Sequence, residues 1–186
     1  MGPVKNAGDG ARERLLQGAG RGFRIGGFGG IGVDALAREA GLTSGAFYAH
    51  FGSKADAFRL AVVHGIAFLR DGVAMFQDRF GPGWRDPFVD FYFGERMRLG
   101  IEEACALPSF TPDVARADAA TREAYESELD RLVATLAAGF GDPPDRKRAW
   151  AFLAVLSGGA SIARAVKDEG LRAETLAAAA DAAKAI

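Results

Sequence analysis

Apolar residues in this chain recur every three or four positions, not every second one. Leu15, Leu16, Ala19 and Phe23 share one side of a helix, and their spacing predicts a first helix over about 10–25. Leu36, Ala37 and Ala40 predict a short second helix over 33–40, which Gly41 stops. Thr43 is a good N-cap for a third helix over 44–51, with Phe47 and Phe51 four apart and facing inward. A long helix is expected to begin near Ser53, with Asp56 in its first turn where the helix dipole favours a carboxylate. Ala57, Phe58, Ala61, Val62, Ile66, Leu69 and Val73 carry its apolar stripe towards Gln77. Asp86-Pro87 predicts a helix running towards Ala106 and ended by Pro108, and Thr111-Pro112-Asp113 predicts the start of the next, to about Ala138. After a break at 139–144, Asp145 opens a helix to about Lys167, and Gly170 separates it from an Ala-rich helix over 171–186. No segment alternates with period two, so the predicted class is all-α, with residues 1–9 as a disordered tail.

The second and third helices carry the chemistry. Two helices joined by a Gly-containing turn of about three or four residues have the geometry that lets the second enter a DNA major groove. Thr43, Ser44, Gly45 and Ala46 would lie at the start of that helix, nearest the base edges. Short side chains allow close approach and give little bidentate base readout. The Tyr48 phenol, the His50 imidazole and the Lys54 ammonium can all donate to phosphate oxygens. The plainer alternative is that Tyr48 and His50 only cap and pack locally.

Charge is modest but uneven. The net charge of the 186 residues is −1, yet residues 1–60 hold eight basic and five acidic residues and carry +3, leaving −4 on the remainder. A mildly basic head on an acidic body suits one face meeting phosphate. No uninterrupted apolar run approaches the roughly 20 residues of a membrane span, and the first ten residues lack an apolar signal core. Asn6 stands where a myristoylation motif needs Ser or Thr. With Cys105 as the single cysteine and two histidines, His50 and His64, no metal cluster, internal disulfide or Ser/His/Asp set is expected. The expectation is a cytoplasmic protein without cofactor, membrane partner or catalysis. The string GFGGIG at 27–32 matches the dinucleotide pattern GxGxxG, but that motif works only between a buried strand and a long helix. Here a helical pattern precedes it, so a glycine loop is expected.

The run Gly41, Leu42, Thr43, Ser44, Gly45, Ala46, Phe47, Tyr48, Ala49, His50, Phe51, followed by Ser53, Lys54 and Ala55, closely resembles the amino-terminal signature of the TetR/AcrR family of transcriptional regulators. The match is dense over residues 33–58 and looser from about Arg12 to the end. It implies a TetR-like fold of about nine helices, with a three-helix helix-turn-helix head at 10–52 and a ligand-binding and dimerisation body at 53–186. It further implies a homodimer on double-stranded operator DNA, most simply a repressor released by a small apolar effector or by modification of Cys105. Some positions depart from the family pattern. Gly18, Gly20 and Gly22 stand where apolar side chains are usual, which predicts a loosely held first helix with a void against its neighbours. Ile31 and Gly32 lack the hydroxyl that usually caps the second helix, which predicts fewer backbone contacts to DNA.

The aromatic group from Phe68 to Met97 is core on the plain reading. The family places its effector pocket in this part of the body, which makes Phe68, Phe76, Phe88, Phe91, Tyr92, Met97 and Cys105 candidate ligand contacts. Arg96 or Arg98 would supply a polar group. The segment around Cys105 resembles the one bearing a reactive cysteine in some electrophile-sensing TetR-like repressors. Glu102 and Glu103 would raise its pKa and Lys167 would lower it. Ala154, Gly158, Ser161 and Ala165 form a small-residue stripe that lets a partner helix approach, which makes them candidate dimer contacts. Two other readings remain open: a helical small-molecule or redox sensor that has lost DNA binding, and a dinucleotide-dependent oxidoreductase.

Overall fold

The computed structural model describes residues 7–186, with side chains from residue 13 onwards. Among the described residues there are helices and no strands. The all-α class is therefore correct, and GFGGIG lies at the end of a helix with no sheet to serve.

The first three helices pack together. α1 (Ala7–Gly30) runs without a break except at Gly27, whose φ of 66° and ψ of 168° kink it. α2 (Val33–Glu39) and α3 (Ser44–Phe51) follow. Residues 1–6 of the expected tail lie outside the described residues, and 7–9 already belong to α1. The expected glycine loop is instead the kinked last turn of that helix.

α4 (Lys54–Phe80) is the spine of the molecule. The Ser53 side chain caps it by accepting from the Asp56 amide at 3.0 Å. Its buried residues, Ala57, Phe58, Ala61, Val62, Gly65, Ile66 and Val73, repeat at helical spacing. This face packs against α1 and against two later helices, α6 (Ala106–Val114) and α7 (Ala119–Ala138). By length and composition alone α4 is apolar enough to cross a membrane. Its buried stripe is the core of this bundle. Glu128 of α7 is buried and bonds Arg70 of α4 and, at 3.0 Å, Arg131.

The middle of the chain differs most from expectation. α5 starts as Arg85–Asp90, widens to a π-helical turn over Phe91–Glu95 and closes at Arg96–Arg98. It therefore stops well before Ala106. An extended link and a 3-10 turn, Ile101–Glu103, lead into α6. Pro108 lies in the first turn of α6, where a missing amide leaves no bond unmade, and so it does not end the preceding helix. Pro112 is inside α6, and the real cap of α7 is Asp118, which accepts from the Thr121 amide at 2.7 Å.

α8 (Arg146–Ala165) and α9 (Glu169–Ala185) close the bundle and pack on each other. Asp145 caps α8 as expected, accepting from the Arg148 amide at 2.9 Å. Asp168, not Gly170, marks the start of α9, and Gly170 lies in its first turn.

The expected void is absent at Gly18 and Gly22, because α2 and Ile31 occupy the space, whereas Gly20 lines an open pocket of about 190 Å³ beside the Arg24 side chain. A Cβ on Gly18 would lie 2.5 Å from both the Ala40 Cα and the Glu39 carbonyl oxygen. One on Gly22 would come to 2.9 Å from Leu36, and one on Gly26 to 2.8 Å from the Ile31 Cβ. These residues are small because the two helices touch there.

Candidate nucleic-acid interface and ligand chamber

The turn between α2 and α3 is built by backbone bonds. The Gly41 amide donates to the Arg38 carbonyl at 3.0 Å and the Leu42 amide to the Ala37 carbonyl at 2.8 Å. Gly41 has a φ of 70°, a left-handed conformation that a residue with a Cβ adopts reluctantly. Thr43 then caps α3, its hydroxyl accepting from the Ala46 amide at 3.2 Å. Phe47 and Phe51 are buried with ring centroids 4.8 Å apart, and they anchor α3 from beneath. α2 lacks a side-chain cap at Gly32, as expected.

The outward face of α3 carries the expected residues. Thr43, Gly45, Tyr48 and His50 are exposed, Ala46 is half-buried, and the Tyr48 ring is 50% accessible. Ser44 is tied sideways: its hydroxyl donates to Asp34 of α2 at 2.5 Å, which joins the two helices. Lys54 lies in the first turn of α4, its ammonium 4.9 Å from the Phe28 ring centroid. The exposed Arg14 and Arg38 belong to the same three-helix unit.

A second feature lies behind this unit. An apolar chamber of about 140 Å³, open to solvent beside the exposed Phe68 and Met75, is bounded by α4, α5 and the start of α6, with Arg24 reaching in from α1. Phe68, Phe76, Phe88, Phe91, Tyr92 and Cys105 all line it. Met97 does not. It is buried beside a small gap of about 10 Å³ towards Pro108 and Ala160. Arg96 reaches the chamber, whereas Arg98 is exposed elsewhere. Gly72 lines the wall with nothing within 4 Å of where its Cβ would be.

Sequence reasoning missed Arg24. This residue of α1 reaches both the chamber and an adjoining polar annex of about 190 Å³, and its guanidinium lies 4.9 Å from the Phe110 ring centroid. Burial lowers its pKa from the usual arginine value. No local pattern in α1 marks it, because its role comes from α1 lying across the body. His64 of α4 also lines the annex, and burial lowers its pKa as well.

Cys105 is half-buried and lines the chamber beside Tyr92. Burial raises its pKa, and the cations that pull the other way are Arg96 and Arg24. Lys167 is exposed beyond the end of α8. The two acidic neighbours that the sequence suggested are not what moves the thiol.

The small-residue stripe on α8 divides by face. Ala160 and Ala163 are buried, and Gly159 packs on Phe93 and on Ala179 of α9. Ala154, Ser161 and Ala165 are exposed and Gly158 is half-buried, beside the exposed Trp150 and Ile162.

The α1–α6 contact joins the two regions. Kinked at Gly27, α1 presents the Phe28 amide to the Asp113 carboxylate of α6 at 2.8 Å. Phe23, Phe28, Phe58 and Phe110 form one ring cluster across this junction, with neighbouring centroids 5.1–6.3 Å apart. The chamber wall at Ala104–Ala106 continues directly into the helix that grips α1.

A family model described as bacterial regulatory proteins, tetR family, matches residues 15–61. No curated protein matches the chain significantly. Many solved structures do. The reduced form of E. coli NemR is 19% identical with a TM-score of 0.73, the match covering 91% of this chain and 95% of that one. A putative TetR-family transcriptional regulator from Mesorhizobium loti MAFF303099 is 17% identical with a TM-score of 0.70, covering 97% and 96%. FadR from Bacillus subtilis, in complex with stearoyl-CoA, is 11% identical with a TM-score of 0.64, covering 91% and 97%. At these identities the likeness is one of fold.

Proposed function

We propose that this chain, which belongs by its amino-terminal domain to the tetR family of bacterial regulatory proteins, works as a dimeric, cytoplasmic repressor that leaves its operator when a small molecule fills the chamber. The observation that carries this reading is the division of α3. Phe47 and Phe51 hold it from below, while Thr43, Gly45, Tyr48 and His50 face outward with Lys54 close behind. Short residues at the start of α3 let it approach base edges, and the hydroxyl, imidazole and ammonium groups are suited to phosphate. The head is taken as residues 10–52 and the body as 53–186.

One α3 reads few base pairs, so a two-fold dimer with half-sites about 34–36 Å apart, or a multiple of that, is the natural solution. The face of Ala154, Gly158, Ser161 and Ala165 is the proposed seam. Between the two heads, α4 and the α1–α6 clamp transmit a change of chamber volume into a change of spacing. The FadR neighbour was solved with stearoyl-CoA, which supports a body of this fold that takes a ligand. Cys105 is assigned to the chamber wall and not to the trigger, because a half-buried thiol with a raised pKa is little ionised at neutral pH. The protein is read as a binder, not a catalyst.

The test is binding to the DNA immediately upstream of its own coding sequence. The double substitution Tyr48→Phe and Lys54→Ala is expected to weaken binding to all sequences alike. Unchanged binding removes the contact surface assigned to α3 and the start of α4.

A further inference from the structure

We infer that the effector is a monocarboxylate with a compact apolar body, an arylalkanoic or medium-chain fatty acid, whose carboxylate is held by Arg24 and Arg96 where the apolar chamber meets the polar annex. The inference rests on reading the chamber as an effector site.

Size bounds the apolar part. An apolar cavity of about 150 Å³ accepts a molecule such as benzene, and the chamber holds about 140 Å³. One aromatic ring or a short chain therefore fits among Phe68, Phe76, Phe88 and Phe91. Charge bounds the other part. The annex shares Arg24, Gly65, Phe68 and Arg96 with the chamber, so the two adjoin at these residues. Arg21 adds a third guanidinium to those of Arg24 and Arg96, and the exposed Glu103 offsets only one of the three, so the annex keeps a net positive charge that an anionic head group answers.

Arg24 is the decisive residue. Its Nε is buried and has no hydrogen-bond partner, and among the described residues no carboxylate forms an ion pair with it. Arg24 is half-buried and its burial disfavours the charged form, so a carboxylate beside the unpartnered Nε relieves that penalty. Arg96 gives one N–H to the Glu103 carbonyl at 2.8 Å and, with five donors in all, has others to offer. Arg24 also lies only three residues before the Gly27 kink of α1. A ligand that pulls on it acts directly on the helix that carries the head.

The experiment is calorimetric titration of the intact protein, without DNA, with 3-phenylpropionate and octanoate and with their uncharged amides. The acids are expected to bind about 10- to 100-fold more tightly than the amides, the range for a hydrogen bond to a charged group. Arg24→Gln is expected to reduce that preference about tenfold, Arg96 remaining, while amide binding and the unfolding temperature persist, which shows that the variant is folded. Gly72→Leu is expected to abolish binding of acids and amides alike, because its side chain enters the chamber. Equal affinity for acid and amide, an unchanged preference in Arg24→Gln, or no binding of any of the four compounds overturns the inference. DNA release is measured separately. An acid that binds through Arg24 and leaves the DNA complex intact upholds the ligand and refutes the regulatory reading.

Discussion

Alanine at Gly18 and alanine at Gly72 are the same chemical change inside two helices, and the structure gives them opposite signs. Replacing a helical glycine by alanine favours the helix by about 1 kcal/mol when nothing else changes. At Gly72 nothing else changes, since no atom lies within 4 Å of the new Cβ. In a chain of this size a gain of about 1 kcal/mol raises Tm by about 2–4 °C. At Gly18 the new Cβ meets the Ala40 Cα and the Glu39 carbonyl oxygen, each at 2.5 Å. Both are backbone atoms, which cannot rotate away, so α2 must move off α1. Overpacking of this kind costs about 1–3 kcal/mol, and the upper end applies where backbone meets backbone. The propensity gain offsets only part of it, and the net loss is about 1–2 kcal/mol. The assay is thermal unfolding of both variants at one protein concentration, because dimerisation makes Tm concentration-dependent. A Gly18→Ala protein as stable as Gly72→Ala refutes the close α1–α2 contact and restores the void expected from the family pattern.

Three further outcomes follow from the packing. Arg70→Met leaves the buried Glu128 with Arg131 alone and is expected to cost about 3 kcal/mol in a denaturant titration; an unchanged midpoint contradicts the buried pair. The His64 pKa is lowered by burial and by Arg24, with Glu13 opposing. The unfolded chain therefore takes up a proton that the folded protein resists, so stability is full above about pH 6.5 and falls with acid below it. His64→Gln flattens the pH 7 to 5 segment of the stability curve, and Asp56 and Asp118, both held low by hydrogen bonds, add their losses only at more acid pH; an unaltered slope in the variant removes His64 from the account. Gly158→Arg places a long cation on the exposed stripe of α8, where a Cβ meets nothing, and is expected to yield a folded monomer in sedimentation; an intact dimer moves the seam elsewhere.

What was legible in the sequence was local. Thr43, Ser53 and Asp145 announced their helices because a cap needs only a side chain three residues from the amide it accepts. The pairing of Phe47 with Phe51 followed from one helical turn. The prolines misled, since Pro108 and Pro112 are compatible both with a helix start and with its early turns, and their neighbours decide which. The glycines of α1 misled for a different reason: a small residue signals a void or a contact depending on what faces it, and α2 is supplied by the fold. Six of the seven chamber candidates line it, five of them visible as an aromatic run and Cys105 through the family resemblance, while Met97 turned away towards Pro108 on the far side of α5. Arg24 was invisible for the same reason as the contact at Gly18, because its surroundings come from helices distant in sequence.

The most direct measurement of the central claim is the affinity of the protein for its upstream DNA across a range of salt concentrations. A head that lays α3 in the groove and binds phosphates with Tyr48, His50 and Lys54 releases condensed counter-ions, so the logarithm of the binding constant falls steeply and linearly with the logarithm of salt. That steep line is expected, with a slope reduced by about one on loss of the Lys54 ammonium. A flat line, or no affinity even at low salt, contradicts it.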